Sequence, residues 1–278
     1  YTLLAISTLL FDEPSFENCI VLGLVLDKDG IKMSKHKGNV VDPWTVLNNQ
    51  GADAVRWYFY TASSPWLPSR FSAESVSEAQ RKFMGTFWNT YAFFVMYAQI
   101  DNYVFDKKKH DYPADELPVI DRWILSRLNT LVEKVDKGLE NYDITGSARA
   151  ISDFSDELSN WYVRRNRRRF WKSEINTNKI AAYQTLYECL VIVSKLTSPF
   201  APFIAEEIYL NLNSITKKES FESVHLAEFP VPSYFDIQLE EKMDIAQKVV
   251  YLTRTIRAKS NLKVRQPLKK VMVVVGKS

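Results

Sequence analysis

The sequence predicts a mainly α protein: an antiparallel helical bundle preceded by a small α/β segment. Three observations carry this. The 278 residues contain only 8 Gly against 16 Phe, 14 Tyr and 7 Trp, and low glycine with many large side chains favours long packed helices over a turn-rich β fold. From 72 to 213 the apolar residues recur at three- and four-residue steps, the period of a helix with one buried face. The two short apolar runs that read as strands lie near the ends of the chain, at 19–26 and 271–275.

Residues 1–65 read as mixed α/β. Cys19 to Leu26 is a short apolar run and predicts a buried strand. Asp27-Lys28-Asp29-Gly30 is a turn signal, because Gly30 tolerates positive φ. A basic polar loop, Lys32 to Asn39, follows. Asp42 is placed to cap the next helix, with Pro43 at its first position and Gly51 just past its end. A second helix is predicted over 53–62, and Ser63 to Pro68 breaks the pattern.

The helical region starts near Ser72 and its first helix reaches Tyr103. Phe83, Phe87, Tyr91 and Phe94 form its core stripe. Asp106 to Glu116 is a charged linker. Leu117, Ile120, Ile124, Leu128, Leu131 and Val135 then line one face, and Ile144, Ala148, Ile151, Leu158 and Tyr162 line another within a helix running to Trp171. Further helices are predicted over Asn178–Leu196 and Pro202–Leu212, with Ser198 to Phe203 as the proline-marked break between them. Short connections between such helices imply antiparallel neighbours. Residues 214–235 read as a polar loop, Asp236–Ser260 as one more helix, and Val271–Val275 as a strand. The expected division is 1–68, 69–213 and 214–278.

Composition excludes several classes. Apolar residues make up 46% and charged residues 25%, which rules out disordered and collagen-like chains. No run of eighteen apolar residues occurs, so no membrane partner is expected. The net charge of +3 implies no partner by itself. Cys19 and Cys189 lie far apart, and His36, His110 and His225 are scattered. No metal site or disulfide is expected, and reduced cytosolic thiols fit. The chain opens at Tyr1 inside an apolar pattern, so we expect a piece of a longer protein.

Two segments carry chemistry. Lys32-Met33-Ser34-Lys35-His36-Lys37-Gly38-Asn39 sets three lysines within six residues after a strand. Lysine is a compact, mobile cation suited to phosphate oxygens; the alternative is a solvated basic turn. Trp161 to Lys172 carries six cations, Arg164, Arg165, Arg167, Arg168, Arg169 and Lys172, with Trp161, Tyr162, Phe170 and Trp171 and no acid. Trp161, Arg164, Arg165, Arg168 and Lys172 are expected on one helix face. Arginine forks bind phosphate and stack on bases; the alternative is pairing with Asp153, Asp156 or Glu157.

Lys32-Met33-Ser34-Lys35-His36 resembles the KMSKS signature of class I aminoacyl-tRNA synthetases, with His36 where the family has its last Ser. Gly38-Asn39-Val40-Val41-Asp42-Pro43 and Gly51-Ala52-Asp53-Ala54-Val55-Arg56 resemble the family's continuation. Asp121 to Leu128 and Asp156 to Arg164 resemble the anticodon-binding bundle of the isoleucine branch, and Leu262 to Leu268 is similar to that branch rather than to the valine or leucine ones. The resemblance implies the end of a Rossmann-type catalytic domain, then an anticodon-binding domain. It implies ATP, Mg2+, isoleucine and tRNA-Ile as the full enzyme's ligands, with a cytoplasmic, monomeric protein. It puts Lys35 on the ATP phosphates with Lys32 as its helper, and makes Met33, Ser34 and His36 part of the loop. The family's other ATP signature, His-x-Gly-His, does not occur in this chain, so the chain alone is expected to be inactive.

Overall fold

The computed structural model describes residues 1–104 and 112–273. Its helices are α1 Thr2–Phe11, α2 Pro43–Gln50, α3 Ala52–Ala62, α4 Ala73–Gln80, α5 Thr86–Ile100, α6 Val119–Glu140, α7 Ile144–Glu157, α8 Arg164–Trp171, α9 Thr177–Thr197, α10 Pro202–Thr216 and α11 Ile237–Lys259. Two strands, β1 Val25–Leu26 and β2 Ser69–Arg70, pair in parallel, Val25 with Ser69 and Leu26 with Arg70. The predicted class holds.

Two predicted helices are interrupted by a turn of π-helix, at Arg81–Gly85 between α4 and α5 and at Leu158–Val163 between α7 and α8. A π turn inserts one residue and rotates everything after it. Tyr162 within the second turn, and Asn166 and Phe170 beyond it, stand inward at four-residue steps, and the Asn166 side-chain amide donates to the Tyr162 carbonyl at 2.9 Å. The buried core joins α3 to α10: Trp57 stacks on Phe83 at 3.8 Å, and Phe83 on Phe87 at 5.9 Å. The predicted stripe Phe83, Phe87, Tyr91 and Phe94 is buried, as are Leu117 and, on α6, Ile124, Leu128, Leu131 and Val135.

Other expectations need correction. The strand predicted over Cys19–Leu26 shrinks to β1, and Val21 and Leu22 stand 71% and 72% exposed. A strand forms only where a neighbour accepts its ladder, and β2 is two residues long. Residues 271–273 form no strand and lie exposed, while 274 and 275 fall outside the described residues. So do His110 and most of the 106–116 linker, whose last residues make one 3-10 turn, Ala114–Glu116. Helix α1 has no counterpart in the sequence reading; none of its residues is buried.

Helix α3 is bolted to the bundle at both ends. Asp53 accepts from the backbone N–H groups of Phe203 (3.3 Å) and Ile204 (2.7 Å), capping α10. Arg56 donates to the carbonyls of Phe200 (3.0 Å) and Pro199 (2.8 Å), just past α9. At the other end, Arg149 of α7 donates to the carbonyls of Thr61 (2.9 Å) and Ala62 (3.1 Å). Caps of this kind satisfy backbone groups that helix ends leave unpaired.

Candidate phosphate loop and nucleic-acid interface

The basic loop is built on Asp27. Its Oδ1 accepts from the backbone N–H groups of Asp29 (3.0 Å) and Ile31 (2.8 Å), and its Oδ2 accepts from Asn39 Nδ2 at 2.6 Å. The Asn39 hydrogen bond, followed by the backbone N–H groups, holds the carboxyl below its ordinary range. Gly30, at φ +83°, makes the turn, and Lys32 bridges back to Leu26. Asn39 reaches across the loop: its Oδ1 accepts from Ser34 N at 3.0 Å, and its Nδ2 also approaches the Lys32 carbonyl at 3.4 Å. Ser34 caps a 3-10 turn, Lys35–Lys37, by accepting from Lys37 N at 3.3 Å. Gly38 closes the turn at φ +66°, a left-handed conformation that glycine adopts without strain.

Lys32, Lys35, His36 and Lys37 are exposed on this closed backbone, and none of the three lysines forms an ion pair with a described residue. Met33 is half-buried against the core. The five predicted loop residues therefore share one short hairpin, with lysine ammonium groups outward and Met33 as its anchor. Sequence reasoning missed Asp27 and Asn39 as its supports, whose only signals were a turn-forming aspartate and an asparagine after a glycine.

The arginine segment divides. Arg164, Arg165, Arg167 and Arg168 are exposed, and none pairs with a described acid. Trp171 is 57% exposed. Trp161 is half-buried, with the Arg165 guanidinium 5.6 Å from its ring centroid. Lys172 lies past the helix end in extended backbone, its side chain exposed and its carbonyl accepting from Lys179 Nζ at 2.6 Å. It therefore leaves the predicted helix face.

Arg169 is a correction. Its guanidinium bonds both oxygens of Asp121, each at 2.7 Å, as well as Asn166 Oδ1 at 3.1 Å and, twice, the Asn178 carbonyl. That occupies all five donors of the fork, so Arg169 is structural and unavailable to RNA. Asp121 is fully buried and also accepts from the Tyr162 hydroxyl at 2.6 Å, and burial pushes that phenol well above its ordinary pKa. Internal pairing thus occurs, but not with the acids anticipated. Glu157 is taken by Arg127 (3.1 Å) and Gln247 (2.7 Å), and Asp156 by Asn160 (2.6 Å). Both cysteines are free; Cys189 is buried, which raises its thiol pKa, and Cys19 is exposed. No described helix is long and apolar enough to cross a membrane.

Known proteins match this chain. The family described as the anticodon-binding domain of tRNA ligase matches residues 121–273, and that of class I tRNA synthetases (I, L, M and V) matches residues 1–67. The chain is 55% identical over 275 residues to the isoleucine–tRNA ligase of Clostridium novyi, covering 98% of this chain and 26% of that protein. It is 48% identical to the isoleucine–tRNA ligase of Bacteroides thetaiotaomicron, covering 99% of this chain and 24% of that one. It thus spans about a quarter of these relatives' length. The crystal structure of the LeuRS of Agrobacterium radiobacter K84 in a ternary complex with tRNA and LeuAMS superposes with a TM-score of 0.61 at 22% identity, covering 86% of this chain and 27% of that one, which is a likeness of fold. With residues 1–67 matching the class I synthetase family, and the anticodon-binding match covering more than half of the chain with the bundle that carries it on view, this chain belongs to the anticodon-binding domain family of tRNA ligases.

Proposed function

We propose that this chain is the phosphate-loop and anticodon-binding portion of an isoleucine–tRNA ligase, a cytoplasmic monomer that joins isoleucine to tRNA-Ile through an adenylate. Residues 1–68 form the end of its catalytic domain and 69–213 the bundle. Residues 214–278 lead toward a C-terminal domain. One observation carries the reading: exposed lysines without acidic partners among the described residues project from a hairpin whose backbone is tied shut by Asp27 and Asn39.

In the reaction the isoleucine carboxylate attacks the α-phosphorus of ATP, and the bond to the β-phosphate oxygen breaks. Pyrophosphate leaves with growing negative charge. Lys35, with Lys32 beside it, stabilises that charge, which is electrostatic stabilisation of the transition state. Mg2+ enters with ATP, and we assign it no ligand in this chain. Met33, Ser34 and His36 shape the loop. Arg164, Arg165, Arg167 and Arg168, flanked by Trp161, Trp171 and Lys172, meet tRNA by phosphate contact and stacking.

The test is ATP–pyrophosphate exchange by the full-length protein with isoleucine or valine. Exchange is expected with isoleucine, and Lys35→Ala should slow single-turnover adenylate formation about 10²–10³-fold with little change in isoleucine affinity. An unchanged rate refutes the lysine's role, and preferential exchange with valine refutes the branch. The chain alone should give none.

A further inference from the structure

The hydrogen bonds of the loop carry an inference beyond the lysines. The segment from Lys32 to Asn39 leaves β1, turns through the 3-10 helix and Gly38, and returns to the one side chain that spans it. The Asn39 carboxamide contacts the backbone on both sides of Met33: it accepts from Ser34 N at 3.0 Å and approaches the Lys32 carbonyl at 3.4 Å. The same amide nitrogen is held by Asp27 Oδ2 at 2.6 Å, and Asp27 is fixed in turn by the backbone of Asp29 and Ile31. Lys32 and Lys35 are thus mounted on either side of a single amide.

We propose that Asn39, held by Asp27, is a positioning residue that sets the separation and direction of Lys32 and Lys35 for phosphate. The proposal rests on reading this loop as the ATP loop. Asn39 touches no phosphate. It acts by fixing the backbone from which the two lysines spring, so their long side chains start from a defined geometry. Ammonium groups aimed at a leaving pyrophosphate stabilise it only if they are placed before the charge develops, and a displacement of about 1 Å is enough to lower a rate roughly 10²-fold.

The roles within the strap are chemically distinct, which makes it testable by exchange. Asn39→Asp sets two carboxylates where an amide now donates to a carboxylate. Asp27→Asn combined with Asn39→Asp restores one donor between them. In that double swap the amide oxygen at position 27 can still accept from the backbone of Asp29 and Ile31. The carboxylate at position 39 can still accept from Ser34 N. In the full-length protein, Asn39→Asp should slow isoleucyl-adenylate formation about 10- to 100-fold while the isoleucine dissociation constant changes less than about twofold. The double swap should recover most of the lost rate. Amide hydrogen exchange over 32–39 in the same proteins should accelerate in Asn39→Asp and slow again in the swap.

Retention of the parent rate by Asn39→Asp, or a double swap no faster than the single variant, overturns the proposal. Unchanged amide exchange over 32–39 overturns it as well, because then no strap exists. Should the parent show no isoleucine-dependent exchange of pyrophosphate, the ATP-loop reading fails instead, and the amide-exchange comparison still decides whether Asn39 holds the loop.

Discussion

Arg169 and its neighbours on α8 offer the sharpest perturbation, because adjacent arginines are predicted to behave oppositely. Among the described residues, Arg169→Ala removes the only cation bonded to Asp121, a fully buried carboxylate. The Arg169 side chain is itself only 12% exposed, so water does not screen the pair. Removing one partner of a buried ion pair leaves an uncompensated charge and costs about 3–5 kcal/mol. The Asn178 carbonyl and Asn166 Oδ1 lose a donor too, so the upper half of that range is expected. The Tyr162 hydroxyl still donates to Asp121 and limits the loss. Urea unfolding followed by circular dichroism measures this as a lower midpoint at similar slope. Asp121→Asn in the same background should regain part of the loss, since the orphaned charge is gone. The salt dependence of tRNA binding, measured where the variant is folded, should match the parent's. If Arg169→Ala costs under about 1 kcal/mol and flattens the salt dependence, the guanidinium faces RNA and the structural assignment is wrong.

Three further outcomes follow from the same contacts. Arg164→Ala with Arg168→Ala should leave the urea midpoint nearly unchanged yet reduce the slope of log affinity for tRNA against log salt by roughly 1.4–1.8, the share of two phosphate contacts; a slope equal to the parent's refutes the RNA face. Asp53→Ala strips the cap from α10 and should destabilise by about 1–2 kcal/mol in the same urea assay, whereas a neutral result would show that Arg56 alone holds this junction. Burial raises the pKa of Tyr162, and raises Tyr209 to about 12. The unfolded chain therefore ionises these phenols first, near pH 10, so their stabilising contribution is complete below that pH and is lost as pH rises through the folded values. Unfolding midpoints should fall between about pH 10 and pH 12, and Tyr209→Phe should reduce the fall; an equal fall in that variant refutes its share.

Helix periodicity was legible because the period is local. Ala148, Ile151, Leu158 and Tyr162 are buried as their spacing predicted, although a π turn spans Leu158 to Val163. The π turn itself left no local signature. Of the predicted face, Arg164, Arg165 and Arg168 stand exposed together, and Lys172 leaves it because α8 ends at Trp171. Helix α8 turns Asn166 and Phe170 inward and brings Arg169 beside Asp121, which lies 48 residues away in sequence. Long-range pairing has no period and so could not be read from spacing. The loop lysines were legible from composition and resemblance, while their support was not, because Asp27 and Asn39 meet only when the hairpin closes. Asp53 and Arg56 were visible as part of a family-like run, yet their partners at 199–204 lie more than 140 residues away.

That last pairing bears on how the chain works as one object. Asn39 closes the lysine loop, and three residues later Asp42 caps α2 by accepting from Trp44 N at 3.4 Å and Thr45 N at 3.0 Å. Gly51, at φ +87°, then joins α2 directly to α3. Helix α3 is held at its start by α10 and the turn after α9 through Asp53 and Arg56, and at its end by Arg149 of α7. Every step from the loop to the bundle is therefore a short covalent link or a hydrogen bond to a backbone group. Two residues, Val40 and Val41, separate the loop from the first cap. Asp42 stands at the base of the loop, with the Asn39 strap between it and the lysines, so the strap decides whether the lysines follow the bundle as a unit. A reporter pair spanning the loop and α10 should then move together in the parent protein and lose that coupling in Asn39→Asp; coupling that survives the substitution would show that α2 and α3 hold the loop without the strap.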